Sequence, residues 1–205
     1  MKARLTPWLV LFLLLLAWAS DARGQIIVPP NGSGFRGVPI DVGITIQDLG
    51  DLTPPSLRAF QLDLTFDPLI LDFVGVAFGD PVLGDQLDLS GLGTLSSIQG
   101  LAPGVLRFSE QSLDPASVLD NLQAGSFTLF TVTFNPLSVG VSPLIASNIT
   151  LEDAAGNPLP VTTIPGSVTI VPEPGTLDLA LIGLALLVLV ARRVTGGDQT
   201  MGATP

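Results

Sequence analysis

Between Val38 and Val171 apolar and polar residues alternate, and the alternation defines the elements. Val38, Ile40, Val42, Ile44 and Ile46 fall on every second position. Side chains two apart share one face of a strand, so this spacing predicts a half-buried β-strand. Phe60, Leu62, Leu64 and Phe66 repeat the pattern around Gln61, Asp63 and Thr65 until Asp67-Pro68 interrupts it, because proline lacks the ladder donor and restricts the residue before it. From Leu69 to Phe78 the chain is again extended, with Leu71, Phe73, Val76 and Phe78 inward. The Gly-rich stretch from Gly79 to Gly104 has weak periodicity and room for short strands at Leu87 to Leu89 and Leu95 to Ile98. Val105 to Glu110, Phe127 to Phe134, Gly140 to Ile149 with Leu151, and Ser167 to Val171 complete the strands. Asp114 to Gln123 reads as the one helical turn of this region, with Asp114 as N-cap and Pro115 at the first helical position. Asp153 to Asn157, DAAGN, has hairpin-turn composition. Gln25 to Pro39, rich in Pro and Gly, reads as a lead-in, with Ile26 and Val28 in a first edge strand. Seven to nine short strands with almost no helix predict an antiparallel β-sandwich, its core built on Phe60, Phe66, Phe73, Phe108, Phe127 and Phe134.

The pattern changes at both ends. Lys2 and Arg4 precede an apolar run from Trp8 to Ala19, and Ala17-Trp18-Ala19 or Ser20-Asp21-Ala22 supplies small residues for cleavage, so residues 1–22 are expected to be a secretory signal peptide. The run is shorter than the roughly 20 residues of a spanning helix. Leu177 to Ala191 is the second apolar run. A helix from Pro174 to Ala191 would cover about 27 Å, near the hydrocarbon thickness of a bilayer. Arg192 and Arg193 would then mark the cytoplasmic side and leave the sandwich outside.

Composition narrows the chemistry. The chain has no His, Cys or Tyr, and its tryptophans, Trp8 and Trp18, and its single lysine, Lys2, all precede the expected cleavage sites. An exported chain of this kind has no imidazole base, no thiolate and no zinc site of the usual ligand set. Between Gln25 and Ile170, 14 acidic residues face three arginines, Arg36, Arg58 and Arg107, a balance that repels phosphate backbones and argues against nucleic acid. Asp80, Asp85 and Asp88 are the nearest approach to a calcium loop, but their spacing lacks the alternating ligands and terminal Glu of one. No metal or cofactor is therefore assigned. Asp63 with Asp67, or Glu152 with Asp153, are available to a two-carboxylate hydrolase, which needs a separation of roughly 5–10 Å, yet nothing selects either pair. No catalytic residue is assigned, the hydrolase stands as the distant alternative, and no ligand-binding residue is identified.

Phe60 to Val76, FQLDLTFDPLILDFVGV, resembles the cohesin pattern of an alternating strand that ends in Asp-Pro and is followed by a second strand. GVLRFSE at Gly104 to Glu110, GSFTLFTVTF at Gly125 to Phe134, Gly140-Val141-Ser142 and LEDAAGNPLPV at Leu151 to Val161 follow in the cohesin order. The resemblance implies a nine-stranded jelly-roll sandwich related to certain carbohydrate-binding modules, and cohesins bind dockerin modules through one sheet face. Polysaccharide binding is the weaker implication here, since pyranose rings are commonly stacked on Trp or Tyr.

Val171-Pro172-Glu173-Pro174-Gly175-Thr176, the apolar run and Arg192-Arg193 resemble the PEP-CTERM sorting signal of exopolysaccharide-producing Gram-negative bacteria. The resemblance implies recognition at the Pro-Glu-Pro triplet by a membrane exosortase, with Pro172, Glu173 and Pro174 as a substrate motif. The alternative is a permanent anchor. The expected organisation is a signal peptide at 1–22, a lead-in at 23–37, a cohesin-like sandwich at 38–170, a sorting signal with a transmembrane helix through 177–191 at 171–193, and a tail at 194–205. The expected protein is a surface or extracellular-matrix component whose sandwich is a binding or structural module, with an exosortase, the membrane, and an exopolysaccharide or dockerin-like protein as its partners.

Overall fold

The computed structural model describes residues 24–173, 175 and 184–187. Two sheets pack face to face. One has the order β10-β1-β3-β8-β5 and the other β2-β11-β9-β4-β7-β6. Their strands are β1 (Gln25–Val28), β2 (Asn31–Phe35), β3 (Ile40–Gln47), β4 (Leu57–Thr65), β5 (Leu71–Phe78), β6 (Thr94–Ala102), β7 (Val105–Ser112), β8 (Phe127–Pro136), β9 (Gly140–Asp153), β10 (Val161–Thr163) and β11 (Gly166–Val171). The fold is the expected all-β sandwich. All pairings are antiparallel except β1 with β10 and β2 with β11.

Those two parallel pairs have one cause. Residues 25–35 start in the five-stranded sheet, turn at Pro29-Pro30 and finish in the six-stranded one; residues 161–171 do the same at Ile164-Pro165. Proline cannot donate to a ladder, so each path changes sheet where its hydrogen bonding is already interrupted. The two crossovers lie against each other: Ile164 N donates to Ile27 O at 3.1 Å, and a Cβ on Gly166 would stand 2.3 Å from Pro29 O. Counting each path once turns eleven strands into the nine of a jelly roll. The expected lead-in thus supplies two strands, and β1 is interior to its sheet.

The core lies where the alternating faces meet. Phe108 and Phe130 stack at 4.5 Å between ring centroids, Phe60 and Phe130 at 5.8 Å, and Phe66 meets Phe134 at 4.9 Å. Of the six expected core phenylalanines, five are buried and Phe73 packs half-buried against them. Phe130 was not among the six. β8 carries an irregularity opposite Ile44 and Thr45, so its inward residues change phase and Phe127, Leu129, Phe130, Val132 and Phe134 all become buried. β5 has the same device between Phe73 and Gly75, which moves the inward series from Leu71 and Phe73 to Val76 and Phe78.

Two local expectations fail. Leu87 to Leu89 form no strand: Leu87 is a buried plug in a loop, its N–H donating to Asp85 Oδ1 at 2.9 Å and its carbonyl accepting from Ser112 Oγ at 2.5 Å. α1 (Ala116–Leu122) has Pro115 at its N-cap and no side-chain cap. Asp114 is spent elsewhere: its buried carboxylate accepts from the N–H groups of Leu89 at 2.7 Å and Ser90 at 3.1 Å and from the Ser90 hydroxyl, holding the β5–β6 loop. DAAGN does form a turn, with Asp153 N donating to Asn157 O at 2.8 Å and Asp153 Oδ1 accepting from Ala155 and Asn157 N–H.

Among the described residues no helix is long and apolar enough to cross a membrane. Of the expected span at 177–191 only 184–187 are described, and they are helical. The expected signal peptide at 1–22, the tail at 194–205, and Pro174, Thr176, Arg192 and Arg193 lie outside the described residues.

Candidate functional site

β4 lies between β7 and β9, so the outward positions of β6, β7, β4 and β9 make one continuous face. The register places Leu95 beside Gln111, Gln111 beside Ala59, and Gln61 between Ser109 and Thr150. A shallow cavity of about 280 Å³ crosses this face, lined by Gln61, Leu95, Ser109, Gln111, Thr150 and Glu152 among others.

Next to the cavity the face carries a fixed ionic cluster. Arg107 Nε donates to Asp63 Oδ1 at 2.6 Å and Nη2 to Oδ2 at 2.9 Å, and Asn148 Nδ2 donates to Oδ2 at 2.8 Å. Asp63 and Arg107 are direct cross-strand partners on β4 and β7, which permits the two-point contact. Asn148 arrives through a bulge: β9 shifts register opposite Gln61 and Asp63, and Asn148 takes the left-handed conformation at φ 49°, which asparagine tolerates better than most residues. The Arg107 hydrogen bonds hold the Asp63 carboxyl below its ordinary range, while the same contact raises Arg107 further. Asp63 is only 3% exposed, whereas Arg107 keeps 31% of its side chain in solvent, so the face presents an immobilised guanidinium edge.

Behind the cavity floor sits Glu110, which points between the sheets. It accepts from Thr94 Oγ1 at 2.8 Å through Oε1, while Oε2 is buried without a donor. Burial, reinforced by the neighbouring carboxylates of Asp85 and Asp88, pushes Glu110 up to about 7. Asp85 is raised by burial as well.

The acids singled out in the sequence have structural roles. Burial would raise Asp80, but the N–H groups of Leu83, Thr128 and Val82 outweigh it and lower the group to about 2. Asp88 accepts from Gly93 N at 2.7 Å. Each of Asp80, Asp85 and Asp88 therefore serves a loop N–H, and among the described residues no cluster of three or more acidic side chains is arranged to hold a metal ion. Asp63 is paired with Arg107, Asp67 takes the N–H of Leu69 at 2.9 Å, and Asp153 organises its turn.

The expected sorting residues begin where the sandwich ends. Val171 is the last residue of β11, and its carbonyl accepts from Arg36 N at 3.2 Å. Pro172 and Glu173 line an open cavity of about 360 Å³ with Arg36, Gly37 and Val139, and Gly175 is exposed. Arg107, Asn148 and Glu110 were not singled out as functional residues. Arg107 was detectable as a basic residue within the alternating stretch Val105 to Glu110; Asn148 was not, because only the bulge aims it at Asp63.

Comparison with known structures gives the class. The fold matches a non-cellulosomal cohesin from the hyperthermophilic archaeon Archaeoglobus fulgidus at 21% identity and TM-score 0.55, covering 73% of this chain and 92% of that one. It matches the cohesin of the OlpA cohesin–dockerin complex from Clostridium thermocellum at 14% identity and TM-score 0.58, covering 73% and 100%. It also matches the seventh ScaB type I cohesin from Pseudobacteroides cellulosolvens at 13% and 0.58, covering 75% and 96%. At these identities the shared property is the fold, and this is a cohesin-like β-sandwich. Residues 171–194 match the family model described as the PEP-CTERM protein-sorting motif, so the chain carries a cohesin-like module followed directly by a sorting signal. No curated protein matches the chain in sequence.

Proposed function

We propose that this is an exported protein recognised by an exosortase at Val171–Thr176, and that its sandwich is a non-catalytic module that binds a protein partner through the outer face of β6, β7, β4 and β9. The supporting observation is continuity: the sorting match starts on the last residue of β11, so nothing separates the binding fold from its address. Residues 1–22 are the export signal, 177–191 the tether of the precursor, and Arg192 with Arg193 the cytoplasmic stop. The released or anchored product is a component of the cell surface or extracellular matrix.

The chemistry of the face favours a protein over a glycan. Its outward residues on these four strands include Leu95, Gln61, Gln111, Thr150 and the held Arg107, and none is aromatic. A sugar ring finds no stacking platform there, whereas an exposed leucine beside amides and a pre-oriented guanidinium offers an apolar contact and directed donors to a protein surface. A dockerin-like module is the partner class that the fold suggests.

Intact-mass analysis with C-terminal peptide mapping tests the sorting step. A product ending within 172–176 supports it, and one retaining Pro205 refutes it. A photocrosslinking residue in place of Gln111 should give a discrete protein adduct in producing cells, while one in place of Thr131 on the other sheet should give none. Equal labelling from the two positions refutes the assignment of the face.

A further inference from the structure

The strand register divides the acids unevenly between the two ends of the sandwich. The turns at 36–39, 66–70, 103–104 and 137–139 and the exit at Val171 share one end. Asp48, Asp51, Asp80, Asp85, Asp88 and Asp120 all lie in the connections at the other. The turns at the exit end hold one acid, Asp67, with Asp41 and Asp72 on the adjoining strand ends and Glu173 on the departing chain, and this end exposes a run of apolar residues. Phe35, Val38, Leu137, Val139 and Val171 are each between 38% and 51% exposed there. They are contiguous: Phe35 is the register partner of Val171, Arg36 N donates to Val171 O, Arg36 Nε donates to Leu137 O at 3.0 Å, and Gly37 N donates to Pro136 O at 3.0 Å. Leu69, on the adjoining turn, is 78% exposed, and its carbonyl accepts from Ser138 Oγ at 2.6 Å.

What covers this rim is indicated by the chain that leaves it. Five residues separate Val171 from Leu177, where the 15-residue apolar run begins. Even fully extended, that connection reaches only about 20 Å, and the headgroup region itself takes up some 5–8 Å of this on each side of the hydrocarbon core. A sandwich on so short a lead is confined to the membrane surface and must turn some part of itself toward it. The opposite end also exposes apolar residues, among them Val82 and Leu83, but these sit beside Asp80 and Asp85, and desolvating carboxylates at a bilayer is costly. The exit-end turns hold only Asp67, whose carboxylate already accepts from Leu69 N, together with Arg36, and Glu173 leaves with the chain, so this rim buries its apolar atoms at the interface at lower cost.

We propose that in the tethered precursor the exit end, from Phe35 to Val38 together with Leu137 to Val139 and Val171, seats on the bilayer surface and holds the Pro-Glu-Pro triplet at headgroup depth. The proposal rests on the reading of 177–191 as a membrane tether. Seating places the substrate motif at the level where a membrane-embedded processing enzyme acts, and it points the acidic loops away from the membrane.

The test uses the full chain exported in a Gram-negative host without the sorting enzyme, so that the tail is retained, with both ends fixed by intact mass. Trp8→Phe and Trp18→Phe leave a tryptophan-free background into which Val139→Trp, Leu137→Trp or Val82→Trp is placed, one at a time. Each protein is reconstituted in phosphatidylethanolamine–phosphatidylglycerol vesicles with brominated acyl chains. Tryptophan at 139 and at 137 should be quenched at least twofold, and at 82 by no more than free tryptophan. Protein that floats with the vesicles but shows equal quenching at all three positions overturns the seating and leaves the tether intact. Protein that does not float overturns both. A rim probe that is shielded without lipid in a concentration-dependent way identifies a second copy as the occupant and also overturns the proposal.

Discussion

Glu110 is a carboxyl group held away from water with no cation beside it, facing Thr94 on β6 and the loop carboxylates of Asp85 and Asp88. Its proton is bound more tightly in the folded chain than in the unfolded one, where an ordinary Glu titrates near 4.5. The stabilisation is complete below that value and is lost as pH rises through about 7, the folded value. Asp80 acts in the opposite sense: its folded value of about 2 lies below the ordinary 3.8, so its contribution is present above pH 4 and disappears as pH falls toward 2. Together they place maximal stability in mildly acidic solution. Replacing Glu110 by Gln should flatten the fall between pH 5 and 8 and raise stability at pH 8 by ~1–3 kcal/mol, a range that allows for screening by residual solvent. Urea melts of both proteins at pH 5 and pH 8 measure this; identical pH dependence in the two would show that Glu110 is ionised throughout. The second polar cluster responds differently. Arg107→Ala leaves Asp63 buried with only Asn148 as partner, so the Asp63 titration should move upward by NMR and the urea midpoint should drop. Phe130, stacked on both Phe60 and Phe108, is the residue whose truncation to Ala should cost the most, about 3–5 kcal/mol in the same assay.

At the scale of elements, two glycines separate steric need from mere occurrence. A Cβ at Gly166 would meet two backbone carbonyl oxygens, those of Pro29 and Pro30, at 2.3 and 2.4 Å, and a backbone cannot step aside as a flexible side chain can. Gly75, in the β5 bulge, has nothing within 4 Å of such a Cβ. Gly166→Ala should therefore lose roughly 2–4 kcal/mol of stability in a thermal or urea melt, and Gly75→Ala should change it by less than about 1 kcal/mol. The same contrast explains what was readable in advance. β3 and β4 were legible because each has one buried face, which forces period two, and DAAGN was legible because Asp153 and Gly156 serve turn geometry directly. Bulges broke the reading elsewhere: the phase change in β8 hid the burial of Phe130, and the bulge in β9 hid the contact of Asn148 with Asp63, whereas the inward series of β5 was read through its bulge. Asp114 was misread because cap and loop-holding roles use the same carboxylate chemistry, and only the fold brings Leu89 and Ser90 to it. The sorting motif, matched over residues 171–194, was legible for a different reason, since it is a linear string that needs no fold to be recognised.

At the scale of the whole molecule, the two ends of the sandwich sequence hold each other. β1 and β2 run beside β10 and β11 through both sheets, so the strand that delivers the sorting motif has β9 on one side and an N-terminal strand on the other. β2 is an edge strand of exposed Asn, Gly and Ser residues and contributes little burial of its own. Its main contribution is to close the hydrogen bonds of β11 and to carry Phe35 and Arg36 to the exit. This arrangement couples presentation of Pro172 and Glu173 to completion of the fold at its other terminus, because β11 without β2 is itself an edge with unpaired backbone groups. Removing residues 25–35 should consequently raise amide exchange across 166–171 by at least tenfold, while β4 and β8, central in their sheets, keep their protection. Hydrogen-exchange mass spectrometry resolves these segments. Unchanged protection of 166–171 would mean that β9 alone holds the exit strand, and loss of protection in β4 and β8 as well would mean that the N-terminal path is part of the core's single cooperative unit. With a loosened exit strand, the position of the sorting motif relative to Arg36 and Val139 is no longer defined, and under the proposed exosortase step cleavage in cells should become slower and its C-terminal ends more heterogeneous by intact mass.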